Sequence, residues 1–85
     1  MRLYLELRYN LWSAKRQYRR AQKNEQNFAA KIADFKAKIA SRNASPEIAK
    51  FLAQMEEVHR QILASLVRFK KQIDAMQKTL EALNA

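Results

Sequence analysis

His59 is the only imidazole in an 85-residue chain that contains no cysteine. Those two facts narrow the available chemistry at once. A protein metal site draws three or four ligands from His, Cys and carboxylates, and a nucleophilic site sets Ser or Cys beside a base. Ser13, Ser41, Ser45 and Ser65 have no recognisable base arranged with them. Glycine is absent, so no Gly-rich loop can cradle a phosphate, and no HExxH helix occurs. The expectation is a non-enzyme with no catalytic residue, no cofactor and no metal.

The chemistry that remains is charge. The stretch KRQYRRAQK, residues 15–23, holds Lys15, Arg16, Arg19, Arg20 and Lys23 with no acid among them. On a helix, Lys15/Arg19, Arg16/Arg20 and Arg19/Lys23 are like-charge pairs one turn apart, each costing roughly 0.2–0.5 kcal/mol. The whole chain has 17 Lys+Arg against 8 Asp+Glu, a formal charge of +9. That excess points to an anionic partner, and the arginines suit bidentate contact with carboxylate or phosphate. A basic run can also be no more than a solvated face.

Elements must hold these charges in place. With no glycine and one proline, the chain has few means of making the tight turns a sheet requires. An all-α fold follows. Positions 4, 7, 11, 14, 18, 21, 25, 28, 32, 35 and 39 alternate in steps of three and four, and ten of the eleven are apolar or aromatic. Positions 48, 52, 55, 59, 62, 66, 69, 73, 76, 80 and 83 do the same, again with ten of eleven. At 48% hydrophobic, chance would fill only half of them. This is the pattern of two coiled-coil helices.

Between the runs, the heptad phase changes at SRNASPE, residues 41–47. Ser45 suits an N-cap, Pro46 the first helical position and Glu47 the first turn. Asn43 could end the first helix in a left-handed conformation. The sequence therefore specifies an antiparallel two-helix coiled-coil hairpin: a helix over about 3–41, a turn over about 42–45 and a helix over about 46–84. Residues 1–85 form one helical-hairpin domain, each helix ~55–60 Å long at 1.5 Å per residue. Such a hairpin could also pair into a larger helical bundle.

Pairing residues whose numbers sum to 87 gives eleven layers, from 39/48 to 4/83, with flush ends. Tyr18 then meets Phe69. The two polar exceptions, Glu25 and His59, fall in adjacent layers, where they could fix register and orientation. A pH-sensitive latch is a second reading of that pair. A metal would need further ligands.

This register gathers cations from both helices. Arg16, Arg19, Arg20 and Lys23 take outward positions on the first helix, and Arg68, Lys70 and Lys71 come to a similar height from the second. Lys15 and Lys70 share a seam and are expected to repel across it. With Arg8 and Arg60 these make a belt of ten cations around half the rod. Near the turn the charges are mixed instead.

Apolar residues are left over. Leu5, Tyr9 and Trp12 form a stripe on the outer face beside the belt, and Trp, Tyr and Arg are common interface anchors. Ala30, Ala33, Ala37 and Ala40 form another face, which high helix propensity explains as well as close helix approach does. Phe51 and Val58 flank the core. The expected function is a protein–protein interaction module, a small subunit, adaptor or inhibitor, docking belt and stripe onto an acidic protein surface. The alternative is nucleic-acid binding through phosphate contacts. A homo-oligomer is compatible with either. No apolar run approaches the ~18 residues of a membrane span. The apolar N-terminus is broken by Glu6 and Arg8 and shows no signal-peptide pattern, so a cytoplasmic location is expected.

Overall fold

The computed structural model describes residues 2–40 and 45–84. Two helices of equal length, α1 (Arg2–Ala40) and α2 (Pro46–Asn84), pack against each other as a rod of 63 × 15 × 15 Å. The fold is an all-α helical hairpin. Helix α1 starts one residue before the expected position. Of the turn expected over about 42–45, residues 42–44, with the left-handed Asn43, lie outside the described residues.

The start of α2 shows its cap directly. The Ile48 amide donates to Ser45 Oγ at 3.3 Å, and the Ala49 amide to the Ser45 carbonyl at 3.1 Å. This Ser-Pro-Glu start satisfies orphan amide donors and places an acid in the positive first turn.

The heptad positions are the core. All eleven positions of α1 are buried or half-buried, as are nine of eleven in α2. The two exceptions, Ile48 and Leu83, lie in the end layers, where no further layer covers them. The register is the expected one. The rings of Tyr18 and Phe69 meet edge to face at 5.6 Å, and those of Phe28 and His59 lie 6.0 Å apart. Phe51 extends the core sideways in an edge contact with Phe35 at 5.7 Å.

Two helices cannot enclose much. Among the described residues only Leu11, Ile32 and Ile73 are buried, and none of them completely. The accessible surface is 7020 Å², against roughly 5,200 Å² for a compact monomer of this mass. A rod with this much surface has area to give to a partner.

Candidate docking surface

The polar pair sits inside the seam. His59 Nε2 and Glu25 Oε1 are 2.7 Å apart, with side chains 24% and 16% exposed. Glu25 faces His59 because heptad knobs interdigitate, so residues of adjacent layers touch. Among the described residues no group of three or more metal-ligating side chains forms. The pair holds the two helices together at mid-rod.

All eight cations singled out by sequence, Lys15, Arg16, Arg19, Arg20, Lys23, Arg68, Lys70 and Lys71, are exposed. The register sets Arg19 level with Arg68 and Arg16 level with Lys71. Lys15 and Lys70, expected to repel across their shared seam, each have a partner of their own. Lys15 Nζ donates to Gln77 Oε1 at 3.2 Å across the seam, while Lys70 pairs with Asp74 on its own helix at 3.2 Å. The flanking positions on this side pair with numbers summing to 92, as Lys36 and Glu56 also do. Lys15 and Lys70 therefore share an edge, and each is held by a different partner there.

The belt is also thinner than its count implies. Besides Lys70, Arg60 is paired with Glu57, and Arg68 donates to Ser65 Oγ at 3.2 Å. Arg19, Arg20, Lys23 and Lys71 form no ion pair among the described residues. Among the described residues their charge is uncompensated.

Arg16 is held differently. Its guanidinium carbon lies 5.6 Å from the Trp12 ring centroid, in cation–π range. The Trp12 and Tyr9 rings are 6.0 Å apart at 33°. Tyr9, Trp12 and Arg16 thus form one contiguous file on α1, spaced by helical turns. Leu5, Tyr9 and Trp12 are 52–64% exposed. The Ala30, Ala33, Ala37 and Ala40 face is exposed as well.

Sequence reasoning missed a second apolar spot. Leu63 and Val67 on α2 are both exposed, one turn apart, and line an open groove with Tyr18, Leu66, Lys70 and Lys71. The signal was present, since both are apolar residues outside the heptad positions, on one side of α2. No protein-family model, curated protein or solved structure matches this chain.

Proposed function

We propose that the hairpin is a non-enzymatic docking module that binds an acidic protein surface through its aromatic stripe and basic belt. The observation that carries this reading is the Tyr9–Trp12–Arg16 file: two exposed aromatics in a tilted contact and a cation poised over one of them. Exposed aromatics beside arginine make effective protein anchors, because they bury large rigid area and pair with carboxylates in one site. Uncompensated cations around the file would speed encounter with an acidic partner.

Phosphate contacts through the same belt are the second reading. It is favoured by Arg20 and Lys23, which form no ion pair among the described residues and continue the Tyr9–Trp12–Arg16 file past its aromatics. Fluorescence anisotropy separates the two. Labelled acidic helical peptides carrying apolar residues, and DNA and RNA duplexes and single strands, are titrated at two salt concentrations. Protein docking predicts that Trp12→Ala weakens peptide binding as much as Arg16/Arg19/Arg20→Glu does. Nucleic-acid binding that falls steeply with salt, vanishes on charge reversal and ignores Trp12→Ala would replace this reading with the phosphate one.

A further inference from the structure

One edge of the rod carries more than the stripe and belt taken separately. Lys15 reaches Gln77 across the seam, so the edge of α2 holding Gln77, Lys70 and Leu63, each a heptad apart, is the edge Lys15 lies on. Trp12, Lys15 and Arg19 are spaced by three and four residues and share a strip of α1. The register then orders this edge from the free ends of the helices toward the turn. First come Leu5 and Trp12. Next come the cations Lys15, Arg19, Lys70 and Lys71, while Tyr9 and Arg16 turn toward the outer face of α1. Last come Val67 and Leu63 over a groove that Tyr18, Gln22, Glu25, Gln26 and Leu66 also line.

From this order, and resting on the protein-docking reading above, we infer that this edge binds an acidic amphipathic helix with an apolar anchor at each end of an acidic middle. The two apolar sites are about 12–18 Å apart along the axis, or two to three helical turns. The whole edge from Leu5 to Leu63 spans about 28 Å, the length of a helix of roughly 19 residues.

Charge selects the occupant. In the band between the apolar sites, four cations meet one acid, Asp74, which is already bridged to Lys70, and Glu25 in the groove is already bonded to His59. A second copy of this chain would bring the same cations against them, and like charges in register oppose docking. A nucleic-acid duplex would supply phosphates but nothing to fill two apolar ends. A straight helix suits a straight rod of 63 × 15 × 15 Å. The opposite edge also carries an apolar groove, lined by Val58, Ile62 and Phe69 with Ser65, but at the height of the cation band its residues Asn10, Gln17, Ser65 and Gln72 are uncharged. Charge therefore selects the Lys15–Lys70 edge for an acidic helix.

The test uses three synthetic Ala-based helical peptides with the same Glu-rich middle. One has Leu pairs at both ends, one at a single end and one at neither. Each is titrated into the full chain by calorimetry. The peptide with two anchors is expected to bind at least about tenfold tighter than the one with a single anchor, from the apolar area each end buries. The variant Leu63→Gln/Val67→Ser, checked for unchanged helicity by circular dichroism, should lose that advantage and keep its affinity for the single-anchor peptide. Equal affinity for the two anchored peptides, with Trp12→Ala still weakening both, overturns the two-anchor inference and leaves the docking reading intact. If no acidic peptide binds while a duplex does, both fall.

Discussion

The half of the rod near the turn and the half near the free helix ends share a core and differ in surface. Both are built from the same heptad layers, with Ile32 buried in one and Leu11 and Ile73 in the other. Both have an edge-to-face aromatic contact, Phe35–Phe51 near the turn and Tyr18–Phe69 in the basic half. On the surface near the turn, Lys36 bridges the helices to Glu56 at 2.8 Å and Lys38 pairs with Asp34 at 3.0 Å, and Lys31 and Lys50, unpaired among the described residues, share that surface with Glu47 and Glu57. In the other half Arg19, Arg20, Lys23 and Lys71 form no ion pair among the described residues, and few acids stand near them. The turn-side half shows that this core can be covered with mixed charge. The excess elsewhere is thus not a requirement of the fold, and a ligand for it is the economical explanation.

The largest expected effect tests whether the core is truly shared. Ile73→Ala should destabilise the hairpin by about 2–5 kcal/mol, and Ile32→Ala by a similar amount. With so few buried side chains, either loss threatens the whole fold, and thermal melts followed by circular dichroism would show it. A silent Ile32→Ala beside a damaging Ile73→Ala would mean that the turn-side half is held by its charges instead, and the comparison would fail.

The next effect concerns the boundary between the halves, where Glu25 meets His59. Replacing a half-buried polar pair with apolar side chains commonly stabilises, and Glu25→Leu/His59→Leu should raise stability by about 1–2 kcal/mol. It should also relax orientation and pairing, because a polar core position penalises alternatives. Sedimentation of the variant is expected to show new oligomers. A variant that stays as uniform as the parent would remove the pair's role as a register device.

How much of this was legible depended on whether the physical rule acts within one layer or between layers. The heptad runs, the Ser45 cap and the Tyr18–Phe69 layer follow from periodicity and were readable. The Glu25–His59 contact was readable as adjacency. The Lys15–Gln77 bond was not, because flanking residues pair by a different offset from core residues. The Lys70–Asp74 pair was open to view as a spacing of four residues, but the belt was counted by its intervals without acids. Leu63 and Val67 were hidden by composition: in a chain that is 48% hydrophobic, two apolar residues outside the heptad look like background. Only the groove they line gives them meaning.

A smaller effect tests the unpaired half directly. Arg19→Glu converts two repulsive spacings, to Lys15 and Lys23, into attractive ones. It should stabilise the protein by roughly 1 kcal/mol while weakening binding to an acidic helix. That opposite movement of stability and binding is what a surface kept for a ligand predicts. If stability falls instead, Arg19 is serving the fold and the excess charge in this half has a structural origin after all.

The smallest effect comes from the mixed-charge half. Lys36→Gln removes the Lys36–Glu56 bridge, whose side chains are 52% and 45% exposed. Exposed pairs are worth little because water and salt screen them, so the loss should be below about 0.5 kcal/mol and should shrink further in salt. This null result matters to the comparison. If pairing charges near the turn adds almost nothing to stability, then leaving charges unpaired in the other half sacrifices almost nothing there, and selection is free to arrange them for a partner. A loss well above 1 kcal/mol would reverse the inference: pairing would then be a structural demand of this hairpin, and the bare cations would mark a weak half of the fold.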